Sequence, residues 1–405
     1  MPELWTLATF GSLYAQPSRN GVSCPTRLRG AGVPMVNMRE LFAFDSIRNQ
    51  HMELVPLTEK EQRERLLEEG DLLFARQSLV REGAGRVVYV DTGPPRTWEG
   101  HLIRVRLDRA RADPRYFYYF FRSPLGRSSI EAIVEQVAAA GIRGNDLSAM
   151  RVPVPPLAEQ RAIAEVLGAL DDKIEANRRT TSAILSLTAA LWIKTFADPS
   201  PDWPLETVEA IATVAGGSTP STKVEEFWDG DIGWATPKDM SRLSLPVLLS
   251  TDRRITELGL GQISSGLLPV GTLLLSSRAP IGYLAIAELP VAINQGIIAV
   301  VPGGRLPVLY LWQWLLYNMD SVKERANGTT FLEISKSNFR SMLVALPPKL
   351  LVDGWMEFAG PLYGLLVSME RETQALIALR DTLLPKLMSG ELRVRQAESL
   401  VEAAL

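Results

Sequence analysis

The chain has 405 residues, 46% of them hydrophobic, so it is too long for one ordinary core and rich enough to build two or more. One cysteine, Cys24, excludes an internal disulfide framework and any multi-cysteine metal site, and two histidines, His51 and His101, leave little for imidazole chemistry. A net charge of -3 argues against a simple basic nucleic-acid binder, because neutralising phosphates normally dominates such affinity.

In chain order, Met1-Pro2-Glu3-Leu4-Trp5 lacks the basic region and apolar run of a secretory leader, and stretches such as 306–319 are too short and too polar to span a bilayer. A cytosolic protein with no membrane role is expected. Residues 1–156 then mix short β-rich runs (87–90, 102–107) with a helical run at 114–121, and residues 198–348 do the same (281–287, 297–301, then 308–323). Turn-rich stretches at 83–85, 93–96, 216–222 and 327–330 are the loop candidates.

The two regions repeat each other. Stretch 32–41 lines up with 231–240 in its apolar, basic and acidic positions. The run Gly70 to Arg76, a turn glycine and a buried strand ending in a basic residue, answers Gly271 to Arg278. Stretch 145–156 answers 337–348, and each ends in a double proline that closes its globular unit.

A long helical pattern follows each double proline. In the first, Ile163, Leu167, Leu170, Ile174, Asn177, Thr181, Ile184, Thr188 and Leu191 recur at spacings of four and three; in the second, Phe358, Leu362, Leu365, Met369, Glu372, Leu376, Leu379 and Leu383 follow at a constant offset. Seams in one phase predict two helices packed as an antiparallel coiled coil; the alternative is that each stripe covers only its own domain. Pro361 is expected to start or kink the second helix, which should end near 385–390. The predicted fold is thus mixed α/β (α+β): domains at 1–156 and 198–348, spacer helices at 157–197 and 349–392, and a tail at 393–405. Charge is uneven across these parts, with 21 Lys+Arg against 18 Asp+Glu in 1–156 and 11 against 15 in 198–348, so DNA contact would rest on local basic surfaces or on a basic partner.

Several short motifs carry a family resemblance. Pro155-Pro156-Leu157-Ala158-Glu159-Gln160-Arg161-Ala162-Ile163-Ala164 leads into Leu170-Asp171-Asp172-Lys173-Ile174. Gly216-Gly217-Ser218-Thr219-Pro220-Ser221 opens the second domain, followed by Asn294-Gln295-Gly296, Gly328-Thr329-Thr330, Ile334-Ser335-Lys336 and the run 383–392. In this order, with a helix after each domain, the chain resembles the specificity (S) subunits of Type I restriction-modification systems over nearly its whole length. The first domain departs from the pattern: residues 16–21 stand where the glycine-rich opening would be, Glu99-Gly100-His101 replaces Asn-Gln-Gly, and Ala138-Ala139-Ala140 replaces the threonine-rich loop.

The resemblance implies two target-recognition domains that read a bipartite double-stranded DNA target. It also implies methyltransferase (M) subunits as partners, expected in two copies, and restriction (R) subunits where cleavage accompanies methylation. No catalytic residue, metal or cofactor is then expected in this chain, which also carries no Walker-type loop and no Asn/Asp-Pro-Pro-Tyr/Phe motif.

Base readout needs paired donors and acceptors, for which Arg76, Gln77, Arg81, Arg86 and Arg96 are candidates in the first domain, and Lys238, Arg278, Asn294 and Gln295 in the second. Ser218, Thr219, Lys223, Thr329, Thr330 and Lys336 suit phosphates. The aromatic runs 116–121 and 310–315 could stack on bases but read first as core helix. A helix over 157–197 would be about 60 Å long and could hold two readers at a fixed separation. Two readings from other classes stay open: a catalytic DNA enzyme with fused recognition domains, and a protein-binding scaffold.

Overall fold

The computed structural model describes residues 5–136, 140–327 and 332–402. The chain divides into two compact units, one of residues 1–174 with 375–405, the other of residues 175–374. Each unit therefore holds part of both long helices, Leu157–Phe196 and Lys349–Ser389.

The first unit is built on a five-stranded sheet in the order Tyr14–Asn20, Leu102–Leu107, Leu72–Ala75, Val87–Val90, Ser46–Ile47. The second has a five-stranded sheet in the order Thr213–Gly216, Ile297–Val301, Leu273–Ser276, Leu284–Ala287, Val247–Leu248. In both, the last pair is parallel and the others antiparallel. A three-stranded sheet also recurs, Glu53–Val55, Val33–Val36, Thr97–Trp98 in one unit and Arg253–Ile255, Trp228–Ala235, Val291–Ile293 in the other. The repeat seen in the sequence is thus a repeat of mixed α/β topology.

Local chemistry explains the shared elements. Gly70 and Gly271 enter the central strands at φ +90° and +83°, a region that favours glycine, and their amides bond to the carbonyls of Val90 and Ala287 at 2.8 and 2.7 Å. The strands that follow, Leu72–Ala75 and Leu273–Ser276, are buried throughout, as continuous apolar runs between covered faces should be. Asn37 with Glu40, and Thr236 with Asp239, form capping boxes that open matching short helices. The aromatic runs are core: Tyr116 to Phe121 are all buried in Pro114–Arg122, where Phe121 packs edge-on against Phe10 and Phe74 at 4.8 and 5.1 Å. In the second unit Tyr310, Trp312 and Trp314 are buried on Val308–Tyr317, with Tyr310 against Trp192 and Phe196.

The first unit ties several carboxylates to arginines. Asp71 is fully buried and receives Nε and Nη2 of Arg106, each at 2.7 Å. Arg48 and Arg115 both reach Asp172 at 2.9 Å; burial alone would raise that carboxyl, but the bonds from the two guanidinium groups hold it below its ordinary value.

The long helices run antiparallel. Within the first unit Asp171 meets Arg380 at 2.7 Å, and Ile163, Leu167, Leu170 and Ile174 share a core with Leu376, Leu383, Leu384 and Leu387. Within the second, Asn177 donates to Glu372 at 2.8 Å and to Thr373 at 3.3 Å, and Ile184 packs with Leu366 and Val367. Thr181 and Thr188 are buried and return their hydroxyls to their own helix, at Asn177 O and Ile184 O.

The phase of the second helix differs from the sequence expectation. Phe358 and Leu365 are 39% and 47% exposed, whereas Ala359, Leu366, Glu370 and Thr373 are buried, one residue later in most turns. Leu362, Met369, Glu372 and Leu379 are half-buried, and Leu376 and Leu383 are buried as expected. Hydropathy selected Phe358 over the small Ala359 and passed over the polar Glu370 and Thr373, which side-chain hydrogen bonds such as Asn177 to Thr373 make tolerable, whereas Leu365 and Leu366 are equally apolar and hydropathy does not separate them. Within the first unit the antiparallel crossing brings Arg380 to the turn after Leu170. Pro361 neither starts nor ends the helix, which continues to Ser389 and stops at Gly390, φ +73°.

One further expectation changes. Residues 393–405 are not a plain tail, since Val394–Glu402 is a helix that buries Ala397 and Val401 in the first unit's core. Lys349–Ser389 has a window of mean hydropathy 1.2 and is apolar and long enough by composition to cross a membrane; its Val352, Trp355 and Ala359 lie in the second unit's core instead.

Leu170→Asp is expected to destabilise the protein by more than about 4 kcal/mol, because an unpaired carboxylate enters a closed core, while Leu365→Asp should stay within about 0.5 kcal/mol. Chemical denaturation of both variants checks this, and equal losses would contradict the phase described.

Candidate nucleic-acid interface

In the second unit, five segments far apart in sequence meet at one edge of the sheets, joined mainly by backbone bonds. Ser218 N donates to Ile293 O at 3.1 Å, Asn294 N to Ala235 O at 3.0 Å, Ser277 N to Gly296 O at 2.9 Å and Ile334 N to Ser277 O at 3.0 Å. Gly217 must be glycine here, since a Cβ would overlap the carbonyl oxygen of Ile293. Asn294 turns its Oδ1 onto Gly296 N at 2.9 Å and so shapes the turn, leaving Gln295 exposed at its tip, where Thr219 donates to it.

This edge gathers most of the second-domain candidates. Ser218 is half-buried and donates to Gln262 O, whereas Thr219, Lys223, Lys238, Gln295 and Lys336 are exposed. The aliphatic part of Lys336 lies over Gly216. Lys238 stands 3.7 Å from Asp252, and Arg278 stands 3.6 Å from Glu333 with 38% of its side chain exposed, so both are held loosely and can be redirected by a stronger anion. Thr329 and Thr330 lie outside the described residues.

The first unit has the same junction with different side chains. Val22 N donates to Trp98 O at 2.8 Å, Glu99 N to Val36 O at 3.0 Å, Arg76 N to His101 O at 2.9 Å and Ile142 N to Arg76 O at 2.9 Å. A Cβ on Gly21 would overlap the Trp98 carbonyl oxygen, so Gly21 takes the part of Gly217. Stretch 99–101 therefore answers 294–296, as the sequence suggests, but Arg76 answers Ser277 and Gln77 answers Arg278, one position off the sequence pairing. The matched capping boxes also add a residue that sequence reasoning missed: Arg39 answers Lys238, with a side chain 77% exposed and 3.0 Å from Glu40. The signal was available, because 32–41 already lined up with 231–240.

The other first-unit candidates separate by burial. Gln77 is exposed with its Oε1 3.2 Å from His101 Nδ1; Arg81 is exposed and donates to Glu131 O at 3.3 Å; Arg86 is half-buried with its guanidinium 5.5 Å from the Phe42 ring; Arg76 is half-buried. Arg96 is not placed to read DNA. It is 2% exposed and its guanidinium donates to the carbonyls of Arg48 and Asp91, pinning two loops, while burial lowers its pKa against the pull of Asp91. Among the described residues no group of three His, Cys, Asp or Glu side chains could hold a metal ion. What both edges offer is exposed amides, hydroxyls and cations on a braced backbone, suited to binding a polar, anionic surface.

Comparison with known proteins supplies a context. The profile of the Type I restriction modification DNA specificity domain matches residues 31–185 and again 201–350. A Type I restriction enzyme specificity subunit of Methanocaldococcus jannaschii, MjaIX, is 39% identical over 148 residues, covering 36% of this chain and 34% of that protein. The HindI specificity subunit of Haemophilus influenzae is 19% identical over 414 residues, covering 82% of this chain and 88% of its own. A crystal structure of a Type I restriction-modification S subunit from M. genitalium shares the fold, with a TM-score of 0.64 at 18% identity over 95% of this chain and 96% of that one.

Arg96→Ala should lower unfolding stability by about 1–3 kcal/mol, the cost of leaving buried carbonyls unsatisfied, whereas Lys238→Ala and Gln295→Ala should leave it within about 0.5 kcal/mol. Thermal melts distinguish the groups; a stable Arg96→Ala protein would return Arg96 to the candidate readers.

Proposed function

Since the chain belongs to the family of Type I restriction-modification specificity subunits and carries the family's DNA specificity domain twice, we propose that each unit reads one half of a bipartite double-stranded target through its converging loops. The family is the recognition component of its system and not the catalyst. The observation that supports the reading most is the recurrence of one backbone junction in both units with different exposed side chains upon it. Identical scaffolds with different surfaces are what reading two different half-sites requires.

In this reading Arg76, Gln77, Arg81 and Arg86 with Arg39, and Lys238, Arg278 and Gln295, compete for base edges. Ser218, Thr219, Lys223, Thr329, Thr330 and Lys336 are assigned to the phosphates, and Asn294 acts by shaping the turn that presents Gln295. The long helices space the two readers. The chain directs M subunits, two in the assembled complex, to the target, and R subunits where they accompany them. With a net charge of -3 the chain alone should bind DNA weakly and gain affinity with its M subunits.

Replacing residues 198–348 by the corresponding domain of a related subunit is expected to change one half of the target and leave the other half and the spacing intact. Methylome sequencing of cells carrying the hybrid and its M subunit reads the result, and altered reading of both halves would count against separable readers.

A further inference from the structure

The two junctions differ most in the hairpin that leaves the central strand. In the second unit Ser276 N donates to Tyr283 O at 2.9 Å and the chain turns within residues 277–282; in the first, Ala75 N donates to Arg86 O at 2.8 Å and the turn takes residues 76–85, four more. The extra length carries Leu79 and Val80, which are 98% and 60% exposed, so that Leu79 touches almost nothing in the protein. A single exposed leucine is unremarkable on a surface. This one is presented by a built loop. Val80 N donates to Ser78 Oγ at 3.2 Å, Arg127 donates to the carbonyls of Glu82 and Ala84 at 3.1 and 3.3 Å, and Arg81 ties to Glu131 O at 3.3 Å. The tip is braced from both sides, with its apolar side chains turned outward.

The surroundings name the occupant. Gln77 and His101 stand two residues before the tip and beside it in the junction, Arg81 follows it, and Arg86 is stacked on Phe42 against the same hairpin. An apolar tip ringed by an amide and arginines complements a surface that is anionic outside and apolar at one point on its floor. In duplex DNA that point is the 5-methyl group of thymine, the apolar mark of the major groove. Resting on the reading of the first unit as a DNA reader, we infer that Leu79, supported by Val80, recognises a thymine methyl in the first half-site, next to bases read by Gln77.

The test uses the complex of this chain with its M subunits and duplexes carrying its methylome-defined target. Each thymine of the first half-site is replaced in turn by uracil, which removes only the methyl group, and affinity is measured by competition. At one position uracil should weaken binding about fourfold, the factor one buried methyl group carries. Leu79→Ala should weaken binding to the thymine duplex to a similar degree and abolish the thymine–uracil difference, with the second half-site read as before. Leu79→Asp should weaken binding at least tenfold, with unchanged melting of the protein. A first half-site without an A·T pair, or a thymine–uracil difference that survives Leu79→Ala, overturns the inference. Loss of assembly with the M subunits in Leu79→Ala also overturns it and makes the tip a protein contact. Failure of the unaltered complex to prefer its own target over random DNA would instead overturn the reading of the unit as a DNA reader.

Discussion

The candidate interface depends on main-chain hydrogen bonds that lock strand ends to loops: Arg76 N to His101 O and Ile142 N to Arg76 O in one unit, Ser277 N to Gly296 O and Ile334 N to Ser277 O in the other. Because every residue except proline has an amide and every residue a carbonyl, this lock is indifferent to side-chain identity. Its steric demands fall on Gly21 and Gly217, where a strand passes too close to a carbonyl for any Cβ. The rest of each edge, including which side chains stand outward and which loops meet, follows from that backbone arrangement.

The lock also explains what could be read from the sequence. Buried strands and the aromatic helix announce themselves by composition, since Leu72–Ala75 and Tyr116 to Phe121 have no polar alternative to burial. The repeat of 32–41 in 231–240 was legible because capping boxes keep their spacing. Pairing Arg76 with Arg278 failed by one position because it matched basic residues, whereas the junction bonds match Arg76 with Ser277, each equally far from its turn glycine. Arg96 sits in a stretch rich in glycine and proline and resembles a loop cation, yet its fate is decided by the carbonyls of Arg48 and Asp91. The second helix was misphased because burial there includes Glu370 and Thr373, whose suitability lies in partners that periodicity cannot name.

Charge counting misleads for a related reason. The first domain holds 21 Lys+Arg against 18 Asp+Glu, but many arginines are committed inside the fold. Arg106 is bound to Asp71, Arg48 and Arg115 converge on Asp172, and Arg96 and Arg104 are 2% exposed with burial lowering both. The cations left to meet phosphate are therefore a matter of placement, and a domain with a modest surplus can present a basic edge or none.

The side chains at the tips of these edges contribute almost nothing to holding the chain together. Gln295, Lys238, Arg39 and Leu79 stand on exposed positions of a lock made by other atoms. Substitution there is nearly free of folding cost, so such residues can drift, be exchanged or be lengthened by a loop while the domain keeps its shape. If the tips read the target as proposed, selection acting on it would find variation there already tolerated, and the lineage would acquire new addresses on DNA without passing through unstable intermediates.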